Sequence, residues 1–489
     1  MPSTATPDLV LTPRSPDEPA YRWLCDALRG AILGGRLRPG VRLPASRELA
    51  RTYGLSRGTV VTAFELLQAE GYLEGRVGAG TYVSRTLPDA LLQVEERPLG
   101  KATPATATPG NAAFSRRVVL IPPVEPHSPR AFRTNLPAID LFPMKRWARV
   151  ANRRLRQMPH ALLEGCAPLG YLPLREAVAE YLHTSRGVEA EPERIAILSG
   201  VQEALDLLTR LLVDPGGRVG LENPGYVGAR RVFEAQHVAM VPIPVDADGM
   251  TVPAGAPDVR MVYLTPGHQA PLGMSMSLAR RLALLEWARA TDTWLIEDDY
   301  DSEYRYAGRP LPALQGLDRH GTVIYAGSFS KVLFPGLRLG YLALPAALVD
   351  PVAAARSLTQ RHASILDQTV LCDFMTEGHF SRHVRRMRGV YAERLGALAE
   401  AAERMLAGRL EVVRVEAGLQ TVGWLGDGLD ARAVADAARA AGIDVYPVSG
   451  ACLRPLGREG LQLGFAAVSP AALRRGVERL SEILNRLAG

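Results

Sequence analysis

The sequence predicts an α/β chain in two parts. A body built on a mostly parallel sheet, with helices on both faces, follows a small basic helical module. Three observations carry this prediction. Short β-rich runs recur at Ile195–Leu198, Arg218–Leu221, Met261–Leu264, Thr293–Ile296 and Val323–Ala326. Helical segments such as Gln202–Leu212 and Leu278–Ala290 separate several of them, which is the rhythm of a parallel sheet. Second, residues 20–85 hold ten arginines against five acids, so +5 of the net +6 falls there and about +1 on all the rest. A small basic module joined to a nearly neutral body points to nucleic acid as the module's partner. Third, the residues suited to chemistry fall just after the predicted strands, where ligands of such sheets sit.

The bulk numbers exclude other classes. No apolar run is long enough to cross a bilayer. Met1 to Pro19 is rich in Pro, Thr and Ser and lacks the apolar centre of a signal peptide. The four cysteines, Cys25, Cys166, Cys372 and Cys452, have no metal-ligand spacing, and reduced thiols in a cytoplasm are the simplest account.

The module is expected at 15–85. Tyr21, Leu24, Leu28 and Ile32 fall at helical spacing, and Gly34-Gly35 ends that helix. Ser46 is expected to cap a second helix, Arg47 to Tyr53, and Ser56 a third, Arg57 to about Glu70. Two short capped helices around a glycine turn make a helix-turn-helix. Arg57, Gly58, Thr59 and Thr62 then lie on the first turns of a recognition helix. Tyr72–Glu74 and Thr81–Val83 read as a hairpin wing, with Arg76 placed to reach a groove or a phosphate. From 86 to 130 proline recurs and apolar periodicity is lost, as in a linker. The body is expected at 131–489. Beyond about 377 come a long arginine-rich helix and then a smaller α+β subdomain.

Within the body, Gly327-Ser328-Phe329-Ser330-Lys331 places one lysine among small, apolar and hydroxyl residues, and Arg338 follows seven residues later. A desolvated lysine has a lowered pKa and becomes a nucleophile towards an aldehyde. Ser328 and Arg338 suit a phosphate dianion beside it. A lysine, an aldehyde and a phosphate together describe pyridoxal 5′-phosphate bound as a Schiff base. A surface lysine in a loop has the same local sequence, so the rest of the chain must decide. Glu297-Asp298-Asp299-Tyr300-Asp301-Ser302-Glu303 follows a strand and offers a carboxylate for a pyridinium nitrogen and a phenol for a ring hydroxyl. Ser199-Gly200-Val201-Gln202 opens a helix whose amides suit a phosphate. Tyr226, in Asn223-Pro224-Gly225-Tyr226, can stack on a ring, and His268 in Thr265-Pro266-Gly267-His268 is on its own more often structural.

Leu43-Pro44-Ala45-Ser46-Arg47-Glu48-Leu49-Ala50, Leu55-Ser56-Arg57-Gly58-Thr59-Val60, Glu70-Gly71-Tyr72-Leu73 and Gly78-Ala79-Gly80-Thr81-Tyr82-Val83 resemble the winged helix-turn-helix of GntR regulators. That resemblance implies that Arg47, Arg57, Thr59 and the Gly80 turn contact double-stranded operator DNA. In order and spacing, the body motifs resemble a fold-type I aminotransferase. By that resemblance Lys331 is the Schiff-base lysine, Asp298 the pyridine-nitrogen partner and Tyr300 the ring-hydroxyl partner. Gly200, Val201, Gln202, Ser328 and Arg338 hold the phosphate, and Tyr226 stacks. The fusion of such a head to such a body resembles the MocR subfamily, whose members form head-to-tail dimers.

Three departures from the aminotransferase pattern bear on function. Gln462, in Gly460-Leu461-Gln462-Leu463-Gly464, stands where aminotransferases carry an arginine for the substrate carboxylate, and Arg454 is a possible replacement. Gly165-Cys166-Ala167-Pro168 lacks the tyrosine offered to a partner's phosphate, and Ala270 stands where relatives have an asparagine or an aromatic. Cofactor-holding residues are kept and substrate-holding ones thinned. The expectation is a transcriptional regulator that uses the body as a sensor. Its effector is the cofactor itself, in control of vitamin B6 synthesis, or an amino compound that exchanges with Lys331; the thinned carboxylate site favours the former. A working aminotransferase with a fused head, and a dimeric scaffold with a vestigial pocket, are the alternatives.

Overall fold

A computed structural model describes residues 11, 14, 18–76, 80–87, 113–118, 121, 129–254, 258–308 and 312–488. The chain divides into two compact units, residues 1–107 and 108–489.

The first unit holds three helices, α1 (Ala20–Leu33), α2 (Ser46–Thr52) and α3 (Arg57–Ala69), and a hairpin of β1 (Leu73–Arg76) and β2 (Gly80–Val83). Leu24, Leu28 and Ile32 of α1 pack with Leu49 of α2 and with Val60, Ala63, Phe64 and Leu67 of α3 into one apolar core. Arg29 reaches Glu70 at 2.6 Å and fastens α1 to the end of α3. Ser56 caps α3 as expected, its Oγ accepting from the Thr59 amide at 3.0 Å. Ser46 does not cap α2. It is the first helical residue, and the cap position falls on Ala45, which is extended and offers no side-chain bond. The wing is broader than a hairpin, because Leu43 N donates to Thr81 O and Val83 N to Val41 O, adding the chain at Val41–Leu43. Val77, Gly78 and Ala79 lie outside the described residues.

The second unit is built on an eight-stranded sheet. Its strands are β3 (Ile195–Leu198), β4 (Arg218–Asn223), β5 (Ala239–Asp246), β6 (Gly249–Met250), β7 (Met261–Leu264), β8 (Trp294–Asp299), β9 (Val323–Ser328) and β10 (Gly340–Ala343), in the order β3-β10-β9-β8-β7-β4-β5-β6. The pairs from β9 through β8, β7 and β4 to β5 are parallel, while β10 runs antiparallel to both its neighbours. β3, β7 and β10 are buried along their whole length, because helices cover both faces. The carboxyl ends of β3, β9, β8, β7 and β4 therefore share one edge.

A second sheet, β11 (Leu410–Val412), β12 (Gln420–Leu425), β13 (Tyr446–Pro447) and β14 (Gly460–Gly464), runs in the order β11-β12-β14-β13 and is antiparallel throughout. It follows the 27-residue helix His379–Met405 and forms the expected α+β subdomain. The start of the body is stitched to it. Gly464 N donates to Phe132 O at 2.9 Å, and Asp444 N to Ala131 O at 2.9 Å. A Cβ on Gly464 would lie 2.0 Å from Arg133 O, so only glycine permits that approach. The expected linker, 86–130, falls largely outside the described residues, but Ala113–Val118 forms a short helix there. Arg117 Nε donates from it to Ala235 O at 2.9 Å, so packed structure of the second unit begins earlier than the loss of apolar periodicity indicates.

Candidate functional site

The head presents its expected residues on exposed ground. Burial of Val60, Ala63, Phe64 and Leu67 turns the opposite side of α3 outward, with Arg57 and Thr62 exposed and Thr59 half-buried. The Thr59 hydroxyl shares a 2.8 Å hydrogen bond with Ser56 Oγ, so it reinforces the cap. Arg47 is exposed on the first turn of α2. Arg76 lies over the Tyr82 ring, 4.7 Å from its centroid. Arg42, which the sequence reading passed over, packs against Gly80: a Cβ there would sit 3.0 Å from its Nε. Arg42 escaped notice because only strand pairing with Tyr82 brings it to the wing.

In the body, the large sheet assembles a cavity from distant segments. Lys331, Asp298, Tyr300, Ser328, Arg338, Tyr226, Gly200, Val201 and Gln202, all nine expected residues, line it together with Asn135, Tyr263, Ala270 and Ser330. Strand register explains the convergence. Gly340 of β10 pairs with Ser328 on one side and Leu198 on the other. Arg338 just before β10, Ser328 at the end of β9 and Gly200 just after β3 are therefore neighbours. Gly200 has φ +123°, a conformation that suits glycine, and it precedes the first turn of the helix Val201–Leu212. A Cβ at Gly200 would lie 3.6 Å from the Arg338 guanidinium. A helix N-terminus, a hydroxyl and a guanidinium on one spot form a phosphate cradle.

Asp298 lies inside β8 rather than in a loop beyond it, since the strand runs on to Asp299. The acidic run is therefore not a solvated loop: Glu297, Asp298, Asp299, Asp301 and Glu303 are all buried. Burial pushes the Asp298 carboxyl up to about 7, against the hydrogen bond from the Tyr263 hydroxyl to its Oδ2. Its Oδ1 is buried without a hydrogen-bond partner. A buried carboxylate oxygen left open towards a cavity is costly unless a donor arrives from the ligand. Asp299 is handled differently. Burial alone would raise its pKa, but Arg186 at 2.6 Å, with Ser302 and Tyr325, holds it below the ordinary carboxylate value.

Lys331 is half-buried on the short helix Phe329–Val332, and its Nζ donates to Asn135 O at 2.8 Å. Burial pushes the ammonium down to about 8, with Asp298 opposing the shift and Arg338 and Arg133 adding to it. Tyr226 stacks beside Tyr263, the ring centroids 6.1 Å apart, and accepts from Gln202 Nε2 at 3.1 Å. The Tyr300 hydroxyl lies 3.1 Å from His268 Nδ1. That nitrogen also lies 3.0 and 3.1 Å from the two oxygens of Asp301. The carboxylate keeps a proton on Nδ1, so the Tyr300 hydroxyl hydrogen is left for another acceptor in the cavity. His268 is thus a structural residue with a task, fixing the phenol.

An open phosphate cradle, an orphaned carboxylate oxygen, a phenol with a hydrogen to give and a lysine of lowered pKa fit pyridoxal 5′-phosphate. The cavity opens into a cleft of about 890 Å³, lined among others by Arg133, Gln420, Tyr446 and Gln462. Arg454 does not line it. Its backbone carbonyl and amide bond the side chain of Asn223.

Comparison with known proteins decides the family. Residues 20–83 match the model of bacterial regulatory proteins of the GntR family, and residues 133–480 that of class I and II aminotransferases. The probable rhizopine catabolism regulatory protein MocR of Rhizobium meliloti is 39% identical over 96% of this chain and 95% of its own length. The chain belongs to the MocR-type GntR regulators. The pyridoxine biosynthesis regulator PdxR of Corynebacterium glutamicum is another relative, 32% identical over 83% of this chain and 85% of its own. Among solved structures, an archaeal alanine:glyoxylate aminotransferase covers 77% of this MocR-type chain and 96% of its own, with 28% identity and a TM-score of 0.69. The α-aminoadipate aminotransferase LysN of Thermus thermophilus matches likewise, with 29% identity and a TM-score of 0.68 over 77% of this chain and 96% of its own. The body is of the fold-type I class, and its cofactor is pyridoxal phosphate. No helix among the described residues is long and apolar enough to cross a membrane.

Proposed function

We propose that this chain is a cytoplasmic transcriptional regulator whose DNA affinity responds to the state of a pyridoxal phosphate pocket at Lys331. The observation that carries the proposal is the buried, unpartnered Asp298 Oδ1 in the same cavity as Lys331, in a chain that also has a GntR head. The cofactor supplies an aldehyde for amines and an electron-withdrawing ring. Lys331 offers a largely desolvated amine to that aldehyde, Asp298 accepts the ring N–H, and Tyr300 donates to the ring hydroxyl. Ser328, Arg338 and the amides of Val201 and Gln202 beside Gly200 take the phosphate, and Tyr226 covers the ring. In the head, Arg57, Thr59 and Thr62 meet base edges and phosphates, while Arg47, Arg76 and the Gly80 turn fix the duplex.

The regulator works as a head-to-tail homodimer, and the effector is pyridoxal phosphate itself or an amino compound that engages Lys331. The cleft beyond the lysine favours the amino compound, because a phosphate and a pyridine ring leave it unfilled. Use as a sensor, rather than steady transamination, accords with Gln462 and Ala270 at substrate-facing positions.

The deciding experiment is the visible absorption spectrum of the purified chain with and without pyridoxal phosphate, beside Lys331→Ala. A band present in the wild type and absent from the variant, with DNA affinity that changes as the band is titrated, is the expected result. No band with excess cofactor, or DNA affinity indifferent to the band, overturns the proposal. Many turnovers on an amino acid and a keto acid would instead establish the aminotransferase reading.

A further inference from the structure

The helix that carries Lys331 is one turn long, too short to fix its own direction. It is closed by Leu333 N, which donates to Phe329 O at 2.8 Å. Its last carbonyl, on Val332 next to the lysine, is held from outside by two buried side chains. The Tyr304 hydroxyl donates to Val332 O at 3.0 Å, and His383 Nε2 lies 3.1 Å from the same oxygen. A carbonyl oxygen has two lone pairs and takes both donors.

The donors reach it from different elements. Tyr304 ends the segment whose start, Asp298 and Tyr300, lines the cavity. His383 stands on the second turn of the helix His379–Met405, which leads into the small subdomain. Arg388 of that helix donates from Nε to Glu303 O at 2.5 Å, beside Tyr304. The same helix therefore braces both the cavity wall and the turn that bears the lysine.

The imidazole stands where an apolar ring would be easier to bury. Phe142 meets it edge-on, with ring centroids 5.6 Å apart at 71°. Burial pushes the His383 ring down to about 4, so at neutral pH it holds one proton. Val332 O can only accept, which places that proton on Nε2. Nδ1 is left buried without a partner. A phenylalanine would fill the site without leaving a polar atom unpaired. What the histidine adds is the bond to Val332 O.

We infer that His383 is a positioning residue for Lys331, which together with Tyr304 pins Val332 O and so fixes the turn from which the amine enters the cavity. The inference rests on the proposal that Lys331 captures the cofactor. It gives the small subdomain's long helix a hold on the lysine, through a backbone carbonyl that side-chain chemistry alone would not single out.

The test uses the full-length chain stripped of cofactor. Stopped-flow absorbance follows the visible band after pyridoxal phosphate is added, from neutral pH into the range where the amine is uncharged. His383→Phe should slow the high-pH plateau rate about five-fold, and Tyr304→Phe should do so to a similar extent. His383→Gln keeps an N–H at similar reach and should stay within about two-fold of the wild type. The double variant, Tyr304→Phe with His383→Phe, should lose more than the product of the two single losses, because only there is the buried carbonyl left with no donor. The pH of the half-maximal rate should stay at about 8 throughout, since burial of the amine is unchanged. In the unloaded chain, amide exchange across 329–334 should quicken about five-fold in His383→Phe and stay unchanged in β4 and β5. Tyr304→Phe, which removes one oxygen atom, decides the matter if His383→Phe is poorly folded. A histidine that merely fills the core predicts the opposite order, Phe as good as His and Gln worse than Phe, and that result overturns the inference. A half-maximal pH that climbs towards that of a free lysine overturns it too, because the pocket would then have loosened rather than the lysine been misdirected. A band in the wild type with equal capture rates in the single variants overturns this inference alone. Absence of the band in the wild type would instead sink the cofactor proposal, and this inference with it.

Discussion

Lys331 and Asp298 shape each other's titration, and one consequence can be read from a spectrum. Burial lowers the lysine to about 8 from the 10.5 of a free side chain. Only the neutral amine attacks an aldehyde, and it becomes the major form above its pKa. The rate of cofactor capture should therefore rise from pH 7 through about pH 8 and level off near pH 9. An unperturbed lysine would keep gaining beyond pH 10. Stopped-flow absorbance against pH tests this, with Lys331→Ala as the blank. A rate still climbing steeply at pH 10 would show that the amine is not desolvated. The residues of this site were legible to different degrees, for a physical reason. Lys331, Asp298, Tyr300 and Ser328 sit at or just beyond the carboxyl ends of two strands legible in the sequence, which puts them on one edge, while Arg338 joins them only because β10 runs antiparallel to β9. Tyr263 looked like an ordinary strand aromatic, although its hydroxyl holds Asp298. Asn135 contributes a backbone carbonyl, to which side-chain identity gives no clue. Arg133 arrives through pairing of Phe132 with Gly464, more than three hundred residues away.

Among the elements, α3 depends on a single hydroxyl. Ser56 Oγ accepts the Thr59 amide at 3.0 Å and pairs with the Thr59 hydroxyl at 2.8 Å. Removing a serine cap costs about 1 kcal/mol, a factor of about five in a local opening equilibrium. Ser56→Ala should therefore speed amide exchange in the first turns of α3 about five-fold, while exchange in the body's β8 and β9 is unchanged. Equal exchange in both variants would show that packing of Val60 and Phe64 holds the helix without its cap. The three helices of the head and β3, β4, β7, β8 and β9 of the body followed from apolar spacing and turn residues, whereas β5, β6 and the helix Leu172–Arg186 were not read. The start of α2 did not follow either. Ser46 is a strong capping residue, but Ala45 is the extended residue before the helix, which starts one position earlier than the serine suggests. The end of β8 was also misjudged: charged residues usually end a buried strand, and here Arg186, Tyr263 and Tyr325 give them partners inside.

The uneven charge of the whole molecule has a measurable consequence for DNA. With ten arginines and five acids in residues 20–85, against a body near neutrality, phosphate contacts concentrate in the head. Counterion release then makes log affinity fall linearly with log salt, and each lost phosphate contact lowers the slope by about 1. Arg76→Gln should therefore weaken binding to operator and unrelated DNA alike and flatten the slope by about 1. Arg57→Gln should narrow the gap between the two DNAs. Fluorescence anisotropy at several salt concentrations measures both. If Arg76→Gln leaves the slope unchanged, the wing does not touch phosphate. The bridge between Phe132 and Gly464, with Asp444 N bonded to Ala131 O, bears on how the body can be cut from the chain. The aminotransferase family match opens at 133, just inside that seam. A fragment trimmed to the match would lose both carbonyls that tie the subdomain down and would free Arg133 at a ragged end. A fragment begun upstream of 129 keeps the seam closed, so the useful boundary is set by two hydrogen bonds and not by where homology starts.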